Sequence, residues 1–139
     1  MSDCPLTVLI LGHSFIRRLK DYLFDISRVN HEGCIEAAEE EAWSNLQFKT
    51  KTLSVFYHGI GGLTLERTYR ELEVVSRLKP DVVFIQLGEN DVDNSRTCPT
   101  EIARHITQLA AAIFARSAHT RHVFWGQLLH RPAPRINPR

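Results

Sequence analysis

Short apolar runs that alternate with helix-like segments constrain the fold of this chain more than any other feature of its sequence. Glycine follows the first three runs within two residues, which is typical of strands that end at the edge of a sheet. Strands that alternate with helices need long crossover connections, so the pattern predicts an α/β fold with a doubly wound parallel sheet. The four predicted strands are residues 7–11, 51–57, 81–87 and 122–129.

Apolar residues at helical spacing occupy the segments between these strands. One predicted helix begins at Ser14, a second covers residues 64–78 and is stopped by Pro80, and a third includes Ile102 to Ile113. Polar residues fill the remaining connections, 29–45 and 88–99, which we expect to be solvated loops.

The size and charge of the chain indicate one soluble domain. Its 139 residues fit a single hydrophobic core, since chains split into domains only beyond roughly 250 residues. Lysine and arginine number 17 against 16 acidic residues, so no overall field attracts the chain to nucleic acid or an anionic membrane. The locally basic stretch from Arg116 to Arg139 contains Pro-flanked turns, and we expect no nucleic-acid partner for it.

The cysteines and the N-terminal sequence favour a cytoplasmic protein. The three cysteines are widely spaced and form no Cys-x-x-Cys pair, so neither a disulfide framework nor a zinc site is predicted. The apolar run that begins at Leu6 is too short to span a membrane and ends in Gly-His-Ser rather than at a signal-peptide cleavage site. His13, His58 and His130 lack the spacing of a metal-ligand motif, so no metal is expected.

Polar, glycine-led clusters follow three of the four predicted strands. Ligands of doubly wound sheets bind outside the carboxyl ends of the strands, so these clusters are the candidate site. Unpaired backbone amides at a strand-to-helix turn attract anionic oxygen, and a hydroxyl placed there can attack a carbonyl. The clusters are Gly12-His13-Ser14, Gly59-Ile60-Gly61-Gly62 and Gly88-Glu89-Asn90-Asp91, and Leu129-His130-Arg131 follows the fourth strand.

This arrangement resembles the SGNH (GDSL-like) hydrolase family of serine esterases. The blocks V-L-I-L-G-H-S, G-I-G-G-L-T and F-I-Q-L-G-E-N-D stand in the family's order. The resemblance covers residues 8 to about 131, and for the single domain expected over residues 1–139 it implies a three-layer α/β/α sandwich with the flavodoxin-like strand order 2-1-3-4-5. It also implies hydrolysis of a small acyl ester by water, with no cofactor.

The resemblance assigns roles to three residues. Ser14 matches the nucleophile, which would carry the acyl group in an acyl-enzyme intermediate. Gly62 matches the glycine whose backbone N–H helps to bind the oxyanion, and Asn90 matches the asparagine whose side-chain amide does the same. The backbone N–H of Ser14 would be the third donor.

Two features depart from the family pattern. His13 stands where the family usually has aspartate, which changes a supporting residue rather than the nucleophile. Nothing after Leu129 matches the family's Asp-x-x-His block, which supplies the general base after a fifth strand. We therefore expect a domain that is incomplete at its C-terminus, without the final strand and helix, and nearly inactive. His130 is the one candidate for a substitute base.

Alternatives remain at each position. Ser14 alone could be a helix N-cap, the Gly61-Gly62 pair a simple turn, and Asn90-Asp91 an Asx turn. The chain could be a non-catalytic or vestigial binding module, or a flavodoxin-like phosphate binder. The apolar edge of residues 122–129 would also favour self-association if no fifth strand covered it.

Overall fold

The computed structural model describes residues 5–29, 44–49, 52–92 and 98–128. Four strands and five helices alternate along them, with a 3₁₀ turn at Tyr69–Glu71. The strands are β1 (Leu6–Gly12), β2 (Leu53–Gly59), β3 (Val82–Gln86) and β4 (His122–Trp125). The helices are α1 (Ser14–Val29), α2 (Leu65–Thr68), α3 (Glu73–Leu78), α4 (Glu89–Val92) and α5 (Pro99–Arg116).

The four strands form one parallel sheet in the order β2-β1-β3-β4. This order confirms the predicted parallel sheet and the arrangement of its first four strands. Gly12 at the end of β1 lies opposite both Gly59 of β2 and Gln86 of β3. The segments that follow these three strands therefore begin at the same edge of the sheet.

Helices cover the two faces of the sheet, as a doubly wound fold requires. Leu9 and Leu11 of β1 point to one face, where they join a core built with residues of α3 and α5. Ile10 points to the other face, and α1 packs against β1 and β2 there. The core cluster consists of Leu9, Leu11, Leu63, Leu65, Leu72, Val74, Val75, Val83, Ile85, Leu87, Ile102, Leu109 and Ile113.

Helix α1 passes unusually close to the end of β2. A Cβ atom on Gly59 would overlap the backbone nitrogen of Arg17, a clash that no side chain allows. Glycine at position 59 thus lets the first turn of α1 rest directly on the sheet edge. This contact fixes the start of α1, and with it Ser14, beside the loop that follows β2.

Several boundaries differ from those predicted, including that of β2, which covers residues 53–59 rather than 51–57. The predicted helix over residues 64–78 is divided by the 3₁₀ turn, although Leu65 and Leu72 are both buried as its apolar spacing predicts. The loop after Gly88 contains the short helix α4. Strand β4 ends at Trp125, since the carbonyl of Gln127 accepts a hydrogen bond from the Gln86 side chain instead of a neighbouring strand.

The connection over residues 29–45 was predicted to be solvated, and most of it lies outside the described residues. Asn45, at its end, contradicts that prediction. Its side chain is buried and bonds to the backbone on three sides. The amide nitrogen donates to the carbonyls of Phe48 (2.9 Å) and Leu53 (2.5 Å), and the amide oxygen accepts from the Val55 N–H (2.8 Å). Asn45 therefore anchors the chain that leads into β2.

Strand β4 lies at the edge of the sheet, and its exposed side chain Phe124 makes one face of that edge apolar. Phe124 and its neighbour in the register, Phe84, are 53% and 37% exposed. Within the described residues, no strand pairs with the outer side of β4. Self-association through residues 122–129 stays a prediction, and Leu129 itself is outside the described residues. No helix of the described segments is long and apolar enough to cross a membrane.

Candidate active site

Ser14 is the first residue of α1, and the preceding residue caps that helix. The carbonyl of His13 accepts hydrogen bonds from the N–H groups of Ile16 (3.1 Å) and Arg17 (3.3 Å). Its ring nitrogen Nδ1 accepts from the N–H of Phe15 (3.1 Å). His13 thus occupies the N-cap position, while the half-buried Ser14 sits at the positive end of the helix dipole.

The loop after β2 lies against the end of β1. The N–H of Ile60 donates to the carbonyl of Gly12 (3.0 Å), which joins the two strand ends. Gly62 has a φ of +69°, a conformation that favours glycine, and a Cβ atom there would meet no atom within 4 Å. This part of the loop therefore leaves room for a ligand to approach the backbone.

Asn90 lies in α4 and is bonded to the same loop. Its side-chain nitrogen Nδ2 donates to the carbonyl of Leu63 (2.9 Å). An amide group carries two N–H bonds, so this contact orients the side chain and leaves the second N–H for another acceptor. The N–H of His13 also donates to the carbonyl of Gln86 (3.4 Å). Hydrogen bonds thus connect all three sequence blocks to one another.

A buried pair of ionisable side chains also connects the first and third blocks. Nε2 of His13 lies 2.9 Å from Oε2 of Glu89, and the two residues are only 4% and 3% exposed. The side-chain nitrogen of Gln86 donates to the other oxygen of Glu89. Sequence reasoning included Glu89 in the candidate cluster after the third strand but gave it no role. Its signal was a charged residue placed directly after a buried strand, between Gly88 and Asn90.

Asp91 holds the third block to the start of α2. Its carboxylate accepts the N–H of Leu65, with Oδ2 at 3.2 Å. Burial raises the pKa of Asp91 above its usual 3.8, and the hydrogen bonds from Leu65 and from its own backbone N–H oppose that rise, as does the nearby His105. The folded state therefore binds the Asp91 proton more tightly than the unfolded chain does.

We expect the free energy of unfolding of Asp91→Asn, relative to that of the unmodified protein, to increase as the pH rises. A raised folded pKa means that the contribution of Asp91 is complete below its usual pKa and is lost as the pH rises through the folded value. Asparagine keeps an acceptor for Leu65 and has no charge to bury. Urea unfolding between pH 3 and 7 measures the difference, with Glu73→Gln as an exposed control. A difference that is independent of pH would contradict this account.

The other described histidines face different partners. His58 pairs with Glu71 (3.2 Å), and His119 pairs with Asp81 (2.7 Å) at the opposite edge of the sheet, where His122 also lies. His105 lines a cavity of about 220 Å³ together with Asp91, and neither Ser14 nor Asn90 lines it. His130 lies outside the described residues. Nowhere in the described segments do three His, Cys, Asp or Glu side chains form a group that could hold a metal ion.

Solved structures with the same fold include TesA and two esterases. TesA is 20% identical with a TM-score of 0.57, and the match covers 88% of this chain and 61% of TesA. The esterase EstA from Pseudoalteromonas sp. is 18% identical with a TM-score of 0.53, covering 84% of this chain and 57% of EstA. A family 3 carbohydrate esterase from Clostridium thermocellum is 13% identical with a TM-score of 0.56, covering 86% and 61%.

The structural similarity to these proteins shows a shared fold. The chain spans only about three fifths of each of these structures. No curated protein matches the chain by sequence. The model of the GDSL-like Lipase/Acylhydrolase family matches residues 29–139, most of the chain. That stretch contains the glycine loop and the Asn90 block and begins after Ser14. The chain belongs to the GDSL-like lipase/acylhydrolase family.

Proposed function

We propose that this chain is a serine hydrolase of small acyl esters, with Ser14 as the nucleophile. The observation that carries the proposal is the set of hydrogen bonds between the three blocks. Gly12 to Ile60, Gln86 to His13 and Leu63 to Asn90 are all joined at the carboxyl edge of the sheet. Such cross-links would hold a nucleophile and oxyanion donors in fixed relation, as acyl transfer requires.

The proposed reaction has two steps. The hydroxyl oxygen of Ser14 attacks the ester carbonyl, its proton passes to a base, and the carbonyl oxygen becomes an oxyanion. Collapse of this intermediate expels the alcohol and leaves an acyl-enzyme, which water then hydrolyses. The oxyanion would be stabilised by the N–H groups of Ser14 and Gly62, the second N–H of Asn90 and the dipole of α1.

The relatives support the choice of substrate class. The family is one of lipases and acylhydrolases, and two of the compared structures are esterases. The EstA structure is of a protein inhibited by monoethylphosphonate. A phosphonate adduct carries a tetrahedral, negatively charged centre like that of an acyl-transfer intermediate. We therefore infer that phosphonates will also modify this chain.

The proposed site still needs a general base. Both ring nitrogens of His13 are occupied, Nδ1 by the Phe15 N–H and Nε2 by Glu89. His58 of β2, which comes directly before the second block, faces Glu71. Neither of these two histidines is therefore placed to act as the base for Ser14. Serine hydrolases that lose a triad member keep only about a thousandfold to ten-thousandfold advantage over water, so we expect slow turnover.

Chemical rescue by imidazole tests this proposal. Imidazole added to the protein can take the Ser14 proton in place of a side chain, so hydrolysis of 4-nitrophenyl acetate should rise with imidazole concentration above the uncatalysed imidazole reaction. A rate equal to imidazole alone at every concentration would contradict an oxyanion site poised around Ser14. Robust turnover without imidazole that His130→Ala abolishes would instead show that His130 is the base.

A binding module without turnover is the second candidate function. The occupied ring nitrogens of His13 favour it, because the histidine next to Ser14 cannot accept a proton without losing a buried partner. This function predicts that a phosphonate or acetate anion binds reversibly, shifts the amide resonances of Ser14 and Gly62, and never becomes covalently attached.

A further inference from the structure

We propose that His13 and Glu89 form a buried positioning pair that sets the Ser14 turn against the Asn90 block. The proposal rests on the proposed function for its catalytic consequence, and on the geometry of the pair for its structural one. His13 precedes the candidate nucleophile by one residue, and Glu89 precedes Asn90 by one residue. The hydrogen bond between His13 and Glu89 therefore fixes the distance between the candidate nucleophile and the candidate oxyanion donor.

The hydrogen bonds determine which form of the imidazole is present. The backbone N–H of Phe15 donates to Nδ1 of His13, so Nδ1 carries no proton. The ring proton is then on Nε2, which donates to Oε2 of Glu89 at 2.9 Å. His13 is thus a neutral imidazole that caps α1 with one nitrogen and binds the third block with the other.

The pair continues into a chain of polar side chains along the sheet edge. The other carboxylate oxygen of Glu89 accepts from Nε2 of Gln86, the last residue of β3. The same nitrogen of Gln86 donates to the carbonyl of Gln127, just beyond β4 (2.9 Å). Because Glu89 is 3% exposed, its carboxylate oxygens are paired with protein donors rather than with bulk water.

Beside Glu89, the aspartate that the family resemblance implies at position 13 would be unfavourable. An aspartate there would place a second carboxylate against the buried Glu89, and two buried carboxylates repel each other strongly. A glutamine at position 89 would remove that conflict, because its N–H could donate to such an aspartate and its carbonyl could accept from Gln86. The residues at positions 13 and 89 are therefore mutually dependent.

Thermal unfolding of the full chain tests this dependence. We expect His13→Asp to lower the Tm by about 10 °C or more, since two carboxylates buried side by side are strongly destabilising. Combining it with Glu89→Gln should recover most of the loss. Glu71→Gln is the matched control, because the His58–Glu71 pair is about one third exposed. It should change the Tm by no more than about 3 °C. If the Tm losses of His13→Asp and Glu89→Gln simply added in the double variant, the pairing would be overturned.

Nitrogen-15 NMR tests the positioning role independently of any activity. We expect a protonated Nε2 and an unprotonated Nδ1 in the His13 ring, and in Glu89→Gln displaced resonances for the Ser14 backbone amide and the Asn90 side-chain amide. Glu71→Gln should leave both unchanged. A proton on Nδ1, or site resonances that do not respond to Glu89→Gln, would overturn the proposal.

Turnover connects the pair to the reaction. In Glu89→Gln, kcat for the imidazole-assisted reaction should fall by up to about a hundredfold with little change in KM, since a shift of about 1 Å in a reacting group has effects of this size. The double variant with His13→Asp and Glu89→Gln should recover part of the lost kcat. Absence of Ser14-dependent turnover in the unmodified protein would contradict the proposed function and the catalytic part of this inference, whereas the NMR and unfolding results would still decide the structural part.

Discussion

Ser14→Ala is expected to abolish the imidazole-assisted hydrolysis of 4-nitrophenyl acetate, leaving only the reaction of imidazole itself. The serine hydroxyl is the atom that would become acylated, and alanine offers no oxygen in its place. Since His13 rather than Ser14 caps α1, the substitution should leave the helix and the Tm nearly unchanged. The change therefore separates a chemical role of Ser14 from a structural one.

Ser76→Ala provides the control for this result. Ser76 is a partly buried helical serine in α3, outside the three blocks. We expect its imidazole-assisted rate to equal that of the unmodified protein. If Ser14→Ala retained that rate, the nucleophile would have to be another residue, and the match of Ser14 to the family nucleophile would be wrong.

Asn90→Ala should reduce the Ser14-dependent rate by a factor of about a hundred to a thousand, the usual effect of removing one oxyanion donor. The second N–H of Asn90 is expected to act mainly in the transition state, so the loss should fall on kcat rather than on KM. The first N–H donates to the carbonyl of Leu63, so part of any loss could come from a displaced loop.

Asn90→Asp removes both N–H donors of the side chain, the one to Leu63 and the one to the oxyanion, with little change in its size. Aspartate has nearly the same size and shape but no N–H to donate, and its charge would oppose the oxyanion. We expect a loss at least as large as that of Asn90→Ala. Comparable rates for the unmodified protein and either variant would remove Asn90 from the oxyanion site.

The sequence pattern predicted the parallel sheet and the shared edge of the three blocks, and the family resemblance implied the strand order. The sheet and the shared edge follow from local patterns, namely apolar runs such as residues 7–11 and the glycines that end them. The error at the end of β4 arose where a side chain replaces a backbone partner. Gln86 takes the carbonyl of Gln127 and so ends β4 early, and apolar spacing contains no information about such a bond.

The polar connections within the site were not predictable in the same way. His13 and Glu89 are separated by 76 positions, and each residue alone looks like a solvent-exposed loop residue. Only the pairing of β1 with β3 brings the two together. Asn45 shows the same limit, since its burial depends on carbonyl groups up to eight residues away whose positions require the fold.

The central claim is that Ser14 is the nucleophile of an oxyanion site built from the three blocks. Its most direct test is treatment of the full chain with a fluorophosphonate, followed by mass-spectrometric mapping of the adduct in the presence of imidazole. We expect one covalent adduct, on Ser14, that forms more slowly in Asn90→Ala and is absent from Ser14→Ala. An adduct on another residue, or equal labelling of the Ser14→Ala protein, would contradict the account.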